Sequence, residues 1–351
     1  MNLASKTILV TGGTGSFGKA FINYLLVSDT KISSIIVFSR DEQKQYEMAQ
    51  DLSKYAHLVK YRLGDVRDRE CITEAARNVD VIVHSAAMKH VPAAEHNPIE
   101  CIKTNILGSQ NLIYAAQANR VPKVVVLSTD KAALPSNLYG ASKLCMEKLF
   151  VSADASGDTR FTIVRYANVF GSKGSVVPLF LKLKHQGAEY LPITDPRMTR
   201  FSITMQEGIN LVLFGLREGW GGEVIVPKAP SYRILEVAKA IAPELEHRVV
   251  GIRPGEKLHE IMYSDVDAPF TVNRSAYYVI CPQIGRYNSS DYAKAIGGKP
   301  VGSSSHYSSE ENDHWLSIRD IHEFLDSPKF LYDRTLDGAR KLLGGSRSNE
   351  I

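Results

Sequence analysis

Short apolar runs alternate with amphipathic stretches through the first half of the chain. Residues 8–10 (Ile-Leu-Val), 35–38 (Ile-Ile-Val-Phe) and 124–127 (Val-Val-Val-Leu) are apolar throughout, as strands covered on both faces must be. The pattern predicts strands at Thr7–Thr11, Ile35–Ser39, Val59–Leu63, Val79–Ala86, Val124–Ser128 and Thr162–Tyr166. Between them Phe17–Leu26, Ile99–Ala118 and Tyr139–Ser152 carry helical spacing. Strands and helices in such alternation predict an α/β fold, a doubly wound parallel sheet with helices on both faces.

After Arg165 the alternation breaks. Gly, Pro and basic residues run from Gly171 to Thr204, then a helical pattern at Gln206–Leu216, a strand near Glu223–Val226 and a helix at Ile234–Ile241. This predicts a nucleotide-binding domain made of 1–167 with a segment returning near 205–230, and a smaller substrate-binding lobe made of 168–204 and 231–285. Such a lobe is expected at the carboxyl ends of the strands, where open parallel sheets bind ligands. Residues 286–351 form an extension with no assigned role. Within it the Ser- and Glu-rich Ser303–Asn312 is expected to be mobile, and Ile318–Leu325 and Leu336–Leu343 read as terminal helices.

The 351 residues, 44% of them hydrophobic, suffice for one sizeable domain and a companion. Lys and Arg outnumber Asp and Glu by 42 to 38, a net charge of +4. With no Lys/Arg block, this speaks against a nucleic-acid partner and suits anionic metabolites. Cys71, Cys101, Cys145 and Cys281 lack the spacing of a zinc or redox motif, the N-terminus lacks a signal-peptide pattern, and no apolar run approaches the roughly twenty residues of a membrane span. A cytoplasmic protein without a membrane partner is expected. His84, His90 and His96 stand six apart, a spacing that places no two on one helical face, so no metal site is expected.

The first strand runs into Gly12-Gly13-Thr14-Gly15-Ser16-Phe17-Gly18 and a helix follows. Glycines between a strand and a helix allow a tight turn and bring backbone N–H groups to a pyrophosphate at the helix N-terminus. Close packing alone could also use them, but the flanking elements favour a Rossmann-type dinucleotide site. At the tip of the second strand stand Ser39 and Arg40, with Lys44 a turn later. Arg suits a ribose phosphate, so NADP is favoured over NAD. Asp65 beside Val66, after the third strand, could accept from an adenine amino group, and Ala86 and Ala87, after the fourth, leave room for a cofactor.

Tyr139 and Lys143 have Y-x-x-x-K spacing, which puts both on one face of a helix. A nearby ammonium would favour tyrosinate, a base able to take a hydroxyl proton as hydride leaves. Ser128-Thr129 ends the preceding strand.

Residues 11–18, Ser39-Arg40-Asp41-Glu42, 86–92 (Ala-Ala-Met-Lys-His-Val-Pro), Ser128-Thr129-Asp130-Lys131-Ala132, Tyr139-Gly140-Ala141-Ser142-Lys143, Arg165-Tyr166-Ala167-Asn168-Val169 and Arg253-Pro254-Gly255-Glu256-Lys257 together make the chain, from about Lys6 to about Pro282, resemble the extended short-chain dehydrogenase/reductase family. Within it the chain is similar to the soluble, inverting 4,6-dehydratases of UDP-N-acetylglucosamine, which serve surface-sugar pathways. The resemblance implies that Tyr139, with Thr129 and Lys143, handles the carbon-4 hydroxyl, that Lys131 takes the carbon-5 proton, and that Asp130 protonates the departing hydroxide at carbon 6. It implies inversion at carbon 5 because retaining relatives carry Met where this chain has Tyr139. Leu134-Pro135-Ser136 departs from the Asn-Pro-x expected there; it offers neither acid nor base.

A UDP-sugar calls for cations and backbone donors. The resemblance suggests Arg200 and Arg253 for the diphosphate, Glu256 for the uridine ribose, Val176 and its neighbours for uracil, and Lys89 and Asn168 for the sugar. It also implies a homodimer, or a multiple of one, through the helices at Ile99–Ala118 and Tyr139–Ser152. Two alternatives remain open at this point: a nucleotide-sugar 4-epimerase, which would need no acid and base beyond carbon 4, and a non-catalytic NADP-binding scaffold or redox sensor.

Overall fold

The structure, a computed structural model, describes residues 2–28, 31–172 and 174–326; the helix predicted at Leu336–Leu343 lies outside them. The described residues divide into two compact units, one within 2–166, 209–228 and 261–307, the other within 167–208, 229–260 and 308–326.

In the first unit six parallel strands and seven helices follow one another. They are β1 (Thr7–Thr11), α1 (Ser16–Val27), β2 (Ser34–Ser39), α2 (Glu42–Asp51), β3 (Val59–Leu63), α3 (Arg69–Ala75), β4 (Val81–His84), α4 (Val91–His96), α5 (Pro98–Ile102), α6 (Gly108–Ala118), β5 (Lys123–Thr129), α7 (Leu138–Ser156) and β6 (Arg160–Tyr166). The sheet order is β3-β2-β1-β4-β5-β6, continued by the parallel strand Val224–Pro227. The order reverses between β1 and β4, which is where such sheets hold their ligands. Ile8, Leu9, Val10, Ile82, Val83 and Val125 are fully buried, as strands covered on both faces require. Asp41, Asp68 and Asn137 cap α2, α3 and α7 by accepting from the backbone N–H three residues on.

The helix expected over Ile99–Ala118 is interrupted by a π-turn at Lys103–Leu107. Asn105 within this turn and Ser109 just after it both face the interior, 1% and 0% exposed. The segment Ile261–Tyr307, expected in the smaller lobe and the extension, belongs instead to the first unit. Tyr277–Ile280 pairs antiparallel with Val224–Pro227, and Thr271–Arg274 with Tyr277–Ile280, so a β-hairpin extends the sheet.

The second unit holds a three-stranded sheet of Asn168–Val169, Thr199–Ile203 and Ser231–Arg233, and the parallel pair Tyr190–Ile193 and Glu246–Val249. The helices Val176–His185, Ile234–Ile241 and Ile318–Asp326 contribute to a core around Phe170, Phe180, Leu191, Tyr232 and Val237. Ser303–Asn312 departs from the mobile loop expected of it. Ser309 is fully buried, shares a hydrogen bond with Thr199 and accepts from Glu260 N. Among the described residues no helix is long and apolar enough to cross a membrane.

Candidate active site

The turn from β1 to α1 is shaped by close backbone approach. Gly12 has φ +66°, and a Cβ there would stand 2.8 Å from Ala86 N, so only glycine combines this conformation with the contact. Gly12 N donates to Phe38 O, which docks the turn on the end of β2. Gly15 and Ser16 are exposed, Phe17 half-buried, and Thr14 and Gly18 buried. No side chain caps α1 and no acidic residue occupies its first turn, so its N–H groups point to solvent without a competing anion. These residues fit a dinucleotide pyrophosphate.

At the tip of β2, Ser39 Oγ accepts from Gln45 Nε2 at 3.0 Å, so Ser39 anchors α2 as well as facing the turn. Arg40 keeps 65% of its side chain exposed, with Nη1 3.9 Å from Asp65 Oδ2. Asp41 is committed to Lys44, to its N–H at 3.0 Å and its ammonium at 2.7 Å. The β2 tip therefore presents a guanidinium, whereas the neighbouring carboxylate is already paired. Burial pushes the Asp65 carboxyl up, but hydrogen bonds from Arg67 outweigh this and hold it below its ordinary value. Val66, beside it, is buried.

Beyond β4 Ala86, which meets Gly12, and Ala87 are half-buried, and Lys89 is exposed. Asn105 clamps this stretch, accepting from Met88 N at 2.8 Å and donating to Met88 O at 3.0 Å and to Ser142 Oγ at 2.9 Å. His84 lies inside the sheet, 1% exposed, bonded to Thr11 Oγ1 and Ser109 Oγ; burial first, then Lys143, lowers it to about 3. Among the described residues no group of three or more His, Cys, Asp and Glu could hold a metal ion.

The tip of β5 carries the densest chemistry. Thr129 Oγ1 donates to Asp130 Oδ1 at 2.8 Å, and Lys131 Nζ donates to the same oxygen at 3.0 Å. Asp130 is 1% exposed, whereas the Lys131 side chain keeps 23%. Tyr139 sits above them because α7 approaches without a side chain in between: a Cβ on Gly140 would lie 2.2 Å from Lys131 O. Burial pushes the Tyr139 phenol up to about 12, against the pull of Lys131 and of a hydrogen bond with Thr129. Residues Tyr139, Lys143 and Glu147, spaced by four, form one buried stripe of α7.

Lys143 departs from expectation. Its Nζ donates to Leu127 O at 2.7 Å and lies 2.9 Å from Met146 Sδ, so the ammonium expected to favour tyrosinate is held on the strand. Burial drives it down to about 8 against the pull of Glu147. A buried ammonium takes the nearest strong acceptor, here a strand carbonyl. The cation acting on Tyr139 is Lys131.

In the second unit Arg200 also departs from expectation. It is 8% exposed and donates to Thr199 O at 2.6 Å and Leu258 O at 3.1 Å, with Nε 3.6 Å from Glu260 Oε1. A guanidinium on the fully buried strand Thr199–Ile203 must find such partners. Arg253 is exposed and paired with Glu256, so neither stands apart from the other. Asn168 pairs in register with Ser202. Val176 opens its helix, which no side chain caps, leaving backbone donors as a uracil site would use.

Reasoning from the sequence missed Asn105 and Glu147, and quoted Ser128, Gly140 and Arg165 as motif residues without giving them a role. The signal for Glu147 was present, since it continues the four-residue spacing of Tyr139 and Lys143.

The polysaccharide biosynthesis protein family matches residues 8–282. A UDP-N-acetylglucosamine 4,6-dehydratase (inverting) of Campylobacter jejuni is 49% identical over 328 residues, covering 92% of this chain and 97% of the relative. A UDP-glucose 4-epimerase of Rickettsia canadensis is 41% identical over 331 residues, covering 91% and 95%. The crystal structure of Pen from Bacillus thuringiensis superposes with a TM-score of 0.84 at 30% identity, covering 94% of this chain and 99% of that one. The chain belongs to the polysaccharide biosynthesis protein family, within the extended short-chain dehydrogenases/reductases.

Proposed function

We propose that this chain is a UDP-N-acetylglucosamine 4,6-dehydratase that inverts carbon 5 and works with NADP. The observation that carries the reading is the Lys131–Asp130 pair, 3.0 Å apart at the end of β5 beside Tyr139 and Thr129. A 4-epimerase needs the phenol and the hydroxyl but has no use for a further acid and base. The relative at 49% identity is named an inverting dehydratase, while the epimerase names stand at lower identity. NADP over NAD is supported by the exposed Arg40 at the β2 tip and by the commitment of Asp41 to Lys44.

Held by the β1–α1 turn and the β2 tip, the cofactor would supply a hydride acceptor for carbon 4 and a hydride donor for carbon 6. Tyr139, with Thr129 beside it, takes the carbon-4 hydroxyl proton as the phenolate, the form that Lys131 favours against burial, and Lys143 reaches the cofactor ribose by exchanging its bond to Leu127 O for one to the ribose. One proton moved from Lys131 Nζ to Asp130 Oδ1 turns the ion pair into an amine and a carboxylic acid, the two forms elimination requires. The amine then removes the carbon-5 proton, which the new ketone acidifies, and the acid protonates the hydroxide leaving carbon 6, which restores the Lys131–Asp130 ion pair. Hydride return to carbon 6 is balanced by a proton delivered to carbon 5 from the face opposite Lys131, and Tyr139 releases the proton it took. Each transfer is of the kind worth about 10²–10⁴ in rate.

The cofactor assignment covers Gly12, Thr14, Gly15, Ser16, Phe17, Gly18, Ser39, Arg40, Lys44, Asp65, Val66, Ala86 and Ala87. For the UDP-sugar we assign Lys89, Asn168, Val176, Arg253 and Glu256, with Arg200 holding the strand Thr199–Ile203 to Leu258 and Glu260. A cytoplasmic homodimer through the faces of α5–α6 and α7 completes the proposal. The test is proton NMR of UDP-N-acetylglucosamine in deuterated water with purified protein and no added cofactor. A new carbon-6 methyl signal with deuterium at carbon 5 and L-arabino couplings is expected. D-xylo couplings would overturn inversion, and UDP-N-acetylgalactosamine without a methyl signal would make the protein an epimerase.

A further inference from the structure

Beneath the reacting groups of the first unit lies a closed polar junction that the reaction does not use. Glu147 and Arg165 are 2% and 3% exposed. Arg165 donates to both carboxylate oxygens of Glu147, from Nε to Oε1 at 3.1 Å and from Nη2 to Oε2 at 2.6 Å. Ser128 Oγ donates to Glu147 Oε1 at 2.5 Å. Ser128 on β5 and Arg165 on β6 are in register, so one carboxylate of α7 joins both strands at the level just below the β5 tip. Arg165 also donates to Met262 O at 2.6 Å and lies 3.7 Å from Asp267. Met262 belongs to Ile261–Tyr263, which packs against the Asp130–Ala132 turn.

We propose that Glu147 and Arg165 are positioning residues, which through Ser128 set the register of α7 against β5 and so hold Tyr139 against Thr129 and Lys131. Ser128 is the immediate neighbour of Thr129. Glu147 stands eight residues from Tyr139 on the same helical face, about 12 Å along the axis at 1.5 Å per residue, so a slip at one end is transmitted rigidly to the other. Gly140 makes the placement sensitive, because a Cβ there would lie 2.2 Å from Lys131 O and its absence lets α7 pass close to the turn. A buried ion pair adds little net stability over well-packed apolar residues. Its directional bonds supply a fixed register, which apolar contacts leave loose.

The inference rests on the reading of Tyr139 as the group that handles carbon 4. Three variants test it. Ser128→Ala removes one bond and keeps the ion pair; kcat falls about tenfold with KM within about twofold, and the melting temperature barely moves. Amide exchange over Leu138–Lys143 of the free chain quickens. Glu147→Gln leaves Arg165 partly unpaired and lowers both kcat and stability. Glu147→Leu combined with Arg165→Met removes both charges, so stability returns toward wild type while kcat stays down about a hundredfold, the scale of a misplacement near 1 Å. Recovery of kcat together with stability in the double variant, or a Ser128→Ala protein with wild-type kcat and exchange, overturns the proposal. Failure of the underlying reading shows separately, as wild-type protein that forms no product, and the exchange comparison then decides the proposal alone.

Discussion

At the amino ends of β5 and β6, Lys123 donates to Thr162 Oγ1 and to Gly219 O, Thr162 donates to Glu223, and Glu223 also accepts from Tyr287 OH, Trp220 N and Gly221 N. At the carboxyl end of β5, Thr129 and Lys131 converge on one oxygen of Asp130. Both clusters shift their titrating groups. Burial lifts Cys281 and Tyr292 to about 12 and lowers Lys123 at one end, and lifts Tyr139 to about 12 at the other. Perturbed groups therefore mark burial here, and not catalysis by themselves. What differs is access. Glu223 is fully buried and bonded on both oxygens, whereas Lys131 keeps 23% of its side chain exposed. A closed network holds strands together; an open one can trade protons with a substrate.

Substituting each cluster in turn breaks this comparison most directly. Lys131→Met should lower kcat by about 10³ or more while leaving the melting temperature within a few degrees. Glu223→Ala should do the reverse, costing on the order of 3–5 kcal/mol in urea unfolding, because it strands the Lys123 charge, with kcat per folded molecule unchanged. A Glu223→Ala protein that folds normally but loses turnover would make the amino-end cluster part of the chemistry.

Gly140→Ala sharpens the comparison at smaller scale. The added Cβ would stand 2.2 Å from Lys131 O, so α7 or the Asp130–Ala132 turn must move by an ångström or so. A loss of about 10² in kcat is expected, with cofactor binding by fluorescence titration retained. Alanine is the better helix former, by about 1 kcal/mol, which offsets part of the steric cost in stability. Wild-type turnover in Gly140→Ala would mean that this close approach has no bearing on the reacting groups.

The parts of the molecule legible in the sequence are those governed by local periodicity. β1 and β3 occupy the predicted residues, and α7 contains the predicted helix with one residue added before it and four after. The gathering of Thr129, Asp130, Lys131 and Tyr139 followed from a strand end and a helix start nine positions apart. Features set by long-range partners were not legible. The hairpin at Thr271–Ile280 joins the sheet through pairing with Val224–Pro227, about fifty residues away in a chain whose strands from there on are only two to four residues long. Ser309 reads as loop composition, yet its hydroxyl serves Thr199, 110 positions earlier. Lys143 was read from its spacing to Tyr139 and Arg200 from its residue type, and neither reading names the acceptor. Which acceptor a buried cation takes depends on the carbonyls around it, and these lie on other elements.

His84 supplies the finest probe, because it stands at the carboxyl end of β4 yet is closed like the amino-end cluster. Its ring is bonded to Thr11 and Ser109, and its folded value of about 3 lies below the ordinary 6.5. Between those values the unfolded chain binds a proton that the folded chain does not, so stability is fully present above about pH 6.5 and is lost as pH falls below it. The expected slope is on the order of 1.4 kcal/mol per pH unit. His84→Gln keeps hydrogen-bonding capacity without a titrating ring, so urea unfolding from about pH 7 to about pH 5 should lose that part of its slope. The same slope in both proteins would mean that other groups carry the acid sensitivity and that His84 is not sealed. A flattened slope with unchanged kcat would place the border between closed and open polar groups inside the carboxyl end itself, between His84 and the β5 tip, where burial stops serving stability and begins to serve proton transfer.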